Sequence, residues 1–287
     1  MESSPTATPR QNKPYIFALK ILLLSDLHFN KAWYDWVESV ASSYQMVAMA
    51  GDLLDGRSEE DLMTQMLWLR DWVKKVPSPL AISSGNHDAN GPSLSVKPSA
   101  LADLPPDGRE LARHALLADR WMDILDTPKV HTDNRSQVVS TSQGDLIVST
   151  IPHADVEGTE YEGLWSLGCR LRAEHRCPWI VLHHEPPHGT SVGGHGGCLG
   201  LRRQIIIHQP DYVLSGHLHY QPYLGGFAER LKGTWCFNPG ASKTPAHAKA
   251  SPLIPNHIIL DIKEGYAQWN ATWEGDPAPR ISRQALS

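Results

Sequence analysis

Residue types that bind metals or move protons recur in this sequence at one kind of position, directly after an apolar run of strand length. Asp26 and His28 stand in Ser-Asp-Leu-His just beyond the apolar stretch at 21–24. Two residues apart in extended backbone, they face the same way and can grip one ion as hard carboxylate plus borderline imidazole. Asp52 follows QMVAMAG, and Asn86, His87 and Asp88 follow PLAISSG. His183 and His184 follow WIVL, and His217 and His219 belong to the Gly-His-Leu-His that ends YVLSGHLH. Read singly, each cluster has a plain alternative: a turn aspartate with a surface histidine, a strand-terminal turn, an Asx turn before a helix, or histidines at a buried edge. Read together, they converge on the carboxyl edge of an open α/β sheet, where such sheets place ligands.

The intervening segments supply the elements that would hold those residues. KAWYDWVESVASSY places Trp33, Trp36, Val37 and Val40 at helical spacing, and SEEDLMTQMLWLRDWVKKVP reads as a helix capped at Ser58, with lysines in its last turn and Pro77 as its stop. Trp33, Trp36, Trp68 and Trp72 are assigned to the core. The first third is therefore a β-α-β-α-β series with parallel strands and right-handed crossovers. A Pro-rich loop over 89–107 precedes a helical stretch over 109–125. DLIVSTIPH, CPWIVLHHEPP and PDYVLSGHLH repeat the strand-then-polar pattern, with helices near 160–176 and 199–208. GTWCFNPGAS, NHIILDI and GYAQWNATW read as a terminal antiparallel group. Residues 1–14 and 275–287 have little to bury and read as tails around a single domain over 15–274.

The chain has 287 residues, is 41% hydrophobic and carries a net charge of −5, which suits a globular core and argues against a surface built for polyanions. Arg202, Arg203, Lys243 and Lys249 are too scattered for a nucleic-acid track. Cys169, Cys177, Cys198 and Cys236 form no Cys-x-x-Cys pair, so a reduced cytoplasmic setting is expected. The apolar run at 21–24 is far short of a membrane span.

The ordered motifs Asp26-Leu27-His28, Gly51-Asp52, Gly85-Asn86-His87-Asp88, His183 and Gly216-His217-Leu218-His219 resemble those of the calcineurin-like metallophosphoesterases, over about residues 18–245. The resemblance implies an α/β fold, a four-layer α/β/β/α sandwich of two mixed β-sheets flanked by helices. It implies Asp26, His28 and His219 on one ion, Asn86, His183 and His217 on a second, and Asp52 bridging both. Family sequences read His-x-Pro at the lone histidine; His183 is preferred to His184 here because it directly ends WIVL. His87, not a ligand in the family, is expected to protonate the leaving oxygen or stabilise developing charge, oriented by Asp88. Mixed Asp, Asn and His ligation suits two divalent transition-metal ions, Mn, Fe, Zn, Co or Ni. The implied reaction is attack of a metal-bridging hydroxide on the phosphorus of a small-molecule phosphoester. Two dications against two carboxylates and one hydroxide leave about +1, which favours a phosphodiester. A phosphomonoesterase, a nuclease and a non-catalytic scaffold on the same fold are the rivals. His153 is assigned to packing, and His195, between glycines, to a loop that spaces or borders the pocket.

Overall fold

A computed structural model of the chain describes residues 19–90, 121–125, 127–153, 156, 159–241, 254–272 and 280–286. The N-terminal segment expected as a tail, most of the expected loop at 89–107 and all but the end of the helix expected over 109–125 lie outside these residues. Five of the last-named, Trp121–Leu125, form a short 3-10 turn.

The first apolar runs become β1 (Lys20–Leu24), β2 (Met46–Ala50) and β3 (Leu80–Ser83), which pair in parallel and are buried apart from Lys20. Burial on both faces explains why these runs are apolar throughout rather than alternating. The crossovers are α1 (Lys31–Val40) and α2 (Leu62–Lys75). Helix α2 starts later than expected: its cap is Asp61, whose side chain accepts from the Thr64 amide at 3.0 Å, and not Ser58. Trp33, Tyr34 and Val37 of α1 pack with Met66, Leu69 and Trp72 of α2 on one face of the sheet, with Trp36 and Trp68 partly buried against them. The tryptophans are therefore core.

The sheet is completed by β4 (Val130–His131), β11 (His257–Asp261), β12 (Tyr266–Ala271) and β13 (Arg280–Ala285) in the order β13-β12-β11-β1-β2-β3-β4. The short helix α3 (Asn86–Asn90) follows β3. The second sheet contains β5 (Arg135–Thr141), β6 (Gly144–Thr150), β7 (Trp179–Leu182), β8 (Tyr212–Leu214), β9 (Ala228–Leu231) and β10 (Thr234–Phe237), ordered β5-β6-β7-β8-β10-β9. Its outer face is covered by α4 (Thr159–His175) and α5 (Leu199–His208); α6 (Gln221–Leu224) is a single turn. Between the sheets, Ile21, Leu23, Ala48 and Ala81 meet Leu146, Val148, Ile180, Leu182 and Phe237. The result is the expected α/β/β/α sandwich.

Two expectations are corrected. GTWCF is not part of an antiparallel terminal group alone, because β10 runs parallel to β8 on one side and antiparallel to β9 on the other. The segment 275–287 is not simply a tail: β13 pairs antiparallel with β12 from Ala271 to Tyr266, and the Leu286 carbonyl accepts from the Trp235 indole at 3.3 Å. An edge strand of this kind gains its order from backbone pairing, so its side chains can be almost wholly exposed, and composition alone misses it. None of the four cysteines is in a disulfide, and no helix among the described residues is long and apolar enough to cross a membrane.

Removal of residues 280–287 should lower stability by about 1–2 kcal/mol, the worth of one or two net hydrogen bonds, and the thermal midpoint by a few degrees. An unchanged midpoint in differential scanning calorimetry would restore the tail reading.

Candidate metal centre

The polar residues that end β1, β2 and β3 meet those that end β7 and β8, so the site lies where the carboxyl edges of the two sheets come together. Reaching that seam bends the backbone. Asp26 (φ 54°), His28 (φ 42°), Asp52 (φ 52°) and His217 (φ 63°) all occupy the left-handed region, which is costly for residues with a Cβ and accumulates at functional sites. Close approach also requires glycine. A Cβ on Gly85 would overlap the Asp52 backbone and carboxylate, and one on Gly216 would overlap Ser25 and meet the Asp26 carboxylate at 2.7 Å.

Asp26 is fully buried; its carboxylate accepts from His219 Nε2 at 3.0 Å and from the His217 amide at 3.1 Å. His28 Nε2 lies 3.4 Å from His219 Nε2, which makes Asp26, His28 and His219 one convergent group. A second group forms around Asn86 Oδ1, 3.1 Å from His184 Nε2 and 3.0 Å from His217 Nδ1, with the two histidine nitrogens 3.2 Å apart. Asp52 sits between the groups: its Oδ2 is 3.4 Å from His184 Nε2 and 3.9 Å from His28 Nε2, while Oδ1 accepts from the His87 amide at 2.9 Å.

The histidine of the second group is His184, and the expectation of His183 is corrected. Along β7, Ile180 and Leu182 face the opposite sheet while Trp179 and Val181 face the covering helices. Continued alternation sends His184 to the seam and His183 to the helix side. His183 there has its Nδ1 3.4 Å from the Ile151 carbonyl. The spacing His184-Glu185-Pro186 is itself His-x-Pro, so counting back from the proline identifies His184 where counting forward from the strand does not.

Asp88 is also corrected. Its carboxylate is buried and takes the amides of Leu53 (3.0 Å), Leu54 (3.0 Å) and Gly85 (2.8 Å), so it ties the loop after β2 to the loop after β3 instead of orienting the His87 ring. Burial and the Asp52 charge push it up to about 7, against those three amides. His87 itself stands at the site, its ring centroid 4.8 Å from that of His28.

Two neighbours escaped the sequence reading. Glu185 accepts from His153 Nε2 at 3.3 Å and lies 4.0 Å from His217 Nε2. The His153 hydrogen bond is the main reason its carboxyl falls to about 2. His153 therefore borders the seam instead of merely packing. Its position at the end of the apolar run IVSTIP, like the other site residues, was the available signal. His195 is exposed, beside His188.

The donor set fits divalent ions. An ion held at about 2.0–2.2 Å from nitrogen and oxygen ligands needs those atoms roughly 3 Å apart, which is the spacing of both groups. Burial opposes charge on His184, yet its bond to Asp52 and the charges of Asp26 and Asp52 raise it to about 9; burial likewise opposes charge on His219, and Asp26 raises it. Burial disfavours the Asp26 carboxylate, and the surrounding histidines hold it well below the usual range. His184 Nδ1 donates to the Ala50 carbonyl at 2.7 Å, which aims Nε2 at the centre.

The calcineurin-like phosphoesterase family model matches residues 19–221. TT1561 of Thermus thermophilus is similar in fold over 94% of this chain and 100% of its own, at 15% identity and a TM-score of 0.52. Purple acid phosphatase PPD1 from yellow lupin seeds is similar over 93% of this chain and 53% of its own, at 12% identity and a TM-score of 0.52. No curated protein matches the sequence.

Because His184 is raised to about 9, it holds a proton at neutral pH that an ion must displace, and the shift of His219 is in the same direction. Ion binding at pH 7 should therefore release about one proton per chain, and affinity should fall as pH drops below about 9. A titration in weakly buffered indicator solution that shows no acidification would remove these histidines from the ligand set.

Proposed function

We propose that this chain, which belongs to the calcineurin-like phosphoesterase family and is a metal-dependent phosphoesterase, acts on phosphodiesters through a two-ion centre. Asp26, His28 and His219 would hold one ion, Asn86, His184 and His217 the other, and Asp52 both. The observation that carries this reading is the Asp52 carboxylate, buried between two histidine groups with no lysine or arginine in its ion pairs among the described residues. Two bound dications supply Lewis acidity toward the phosphoryl oxygens and acidify water at the centre. The residues do the remainder. Asp52 fixes the spacing of the two groups, and Asp88, through the amides of Leu53 and Gly85, fixes the loops that carry Asp52 and Asn86.

His87 is assigned the proton for the leaving oxygen. It is half-buried beside His28, one of its ring nitrogens lies within 4.8 Å of ligand atoms of His28 and Asp52, and its amide is held by Asp52. The diester preference rests on charge. Glu185 adds a carboxylate at the His217 side of the seam, and a monoanionic diester tolerates that better than a dianionic monoester.

With saturating metal, Asp52→Ala and His184→Ala should each lower turnover at least about 100-fold, and His195→Ala less than about twofold, since an exposed loop side chain is lost only in the last. Equal losses would misplace the centre. Elemental analysis after reconstitution with manganese, an ion that prefers oxygen and nitrogen donors, should find two ions per chain, and chelation should abolish activity.

General acid help is worth about 10² to 10⁴ in rate, and only poor leaving groups need it. His87→Ala should therefore slow alkyl phosphodiesters by that factor and nitrophenyl diesters far less. Equal losses on both would remove the acid role, and a strong monoester preference across the same panel would remove the diester assignment.

A further inference from the structure

A further set of metal-ligating side chains lies where the chain leaves β7, with His183 on the helix side and Glu185 adjoining the seam. His183, Glu185 and Cys198 each place one ligand atom within 4.8 Å of the others. The backbone holds them there: the Cys198 amide donates to the Pro186 carbonyl at 2.7 Å, and the His188 amide donates to the Cys198 carbonyl at 3.0 Å, so the chain leaving β7 and the chain entering α5 run side by side.

His183 is fully buried, and with its Nδ1 directed to Ile151 its Nε2 has no hydrogen-bond partner. A buried polar nitrogen left in this state costs about 1–3 kcal/mol, so the fold retains it against a penalty that a ligand would remove. Cys198 caps α5, its Sγ accepting from the Leu201 amide at 3.3 Å. Amides at a helix start favour the thiolate, the form that binds metal. The Glu185 side chain is 29% exposed and gives the set an opening to solvent.

We propose that His183, Glu185 and Cys198 form a third divalent-metal site, selective for zinc and other thiophilic ions and distinct from the two-ion centre. Imidazole, thiolate and carboxylate are an ordinary zinc donor set, and three protein ligands leave the fourth tetrahedral position to water or an exogenous ligand. The ion would displace the thiol proton to solvent and would face two anionic ligands, so its charge is neutralised locally. Ligand atoms at about 2.0–2.3 Å from zinc lie roughly 3.3–3.8 Å apart, which asks the present set to close by about 1 Å. Rotation of the partly exposed Glu185, which gives up its 3.3 Å bond from His153, can supply that movement. A bound ion would partner His183 Nε2 and staple the segment 186–198, which carries the Gly-rich loop, to the end of β7.

Cobalt(II) titration of the metal-free protein separates this site from the other, because only a thiolate ligand gives a sulfur-to-cobalt charge-transfer band in the near ultraviolet and the two-ion groups contain no sulfur. The band is expected in the wild type and in Asp52→Ala, lost in Cys198→Ser and weakened in His183→Ala. Failure of the two-ion reading would leave it intact. Zinc should also slow alkylation of Cys198 in the wild type by at least about tenfold, read by peptide mass spectrometry, a measurement that needs no variant to fold. A wild type without the band at saturating cobalt, a band that survives Cys198→Ser, or alkylation unchanged by zinc would overturn the proposal.

Discussion

Two carboxylates, Asp26 and Asp52, are buried side by side at the seam between the sheets, with 0% and 2% of their surface exposed. Stripping an ionised carboxylate of water costs several kcal/mol unless compensating charge and hydrogen bonds are present. Nearly every unusual feature of the molecule answers that cost. The left-handed backbone at Asp26, His28, Asp52 and His217 aims donors at the carboxylates, and Gly85 and Gly216 admit the neighbouring chain to contact distance. The charges of Asp26 and Asp52 in turn raise the affinity of His184 and His219 for a proton, at the place where the donor geometry accommodates cations.

The compensation is layered. Asp52 is held by the His87 amide, the loop that carries His87 is held by Asp88, and Asp88 is held by amides from both loops. A carboxylate that takes three amides serves as the tie between two loops that share no sheet hydrogen bonds at that point. This accounts for an acid immediately after the histidine of the Gly-Asn-His-Asp motif without assigning it to proton transfer. Its value lies in how rigidly it spaces Asp52 from Asn86, since a centre of two ions tolerates little change in ligand separation.

The sequence was most legible where burial dictated it. The runs ILLL, MVAMA, LAI and WIVL have no polar residue that could face water, so they could only be strands covered on both sides, and their ends located the site. Pairing partners were less legible, because a strand buried on both faces carries no mark of its neighbours: β10 could not be told from an antiparallel strand, and β13 needed no apolar pattern at all. The side chains were misjudged where one residue of register decided the answer. His183 and His184 are equally apt ligands by chemistry, and only the alternation set by Ile180 and Leu182 tells them apart. Glu185 and His153 are illegible for a related reason, since they come from different strand ends and only the fold brings both beside His217.

The motif strands do not share one sheet. Asp26, His28, Asp52 and Asn86 come from the sheet that contains β1 to β3, while His184, His217 and His219 come from the sheet that contains β7 and β8. Neither group of donors is complete within one sheet: Asp26 needs His219, and Asn86 needs His184 and His217. The separation between donors is therefore set by the apolar layer of Ile21, Leu23, Ala48, Ala81, Ile180 and Leu182 directly beneath. Packing in that layer is close, so a change of even one methylene alters how the sheets seat. Small residues at Ala48 and Ala81 bring the first sheet close to the second, and this makes the metal centre a property of sheet-on-sheet packing as much as of the loops that bear its ligands.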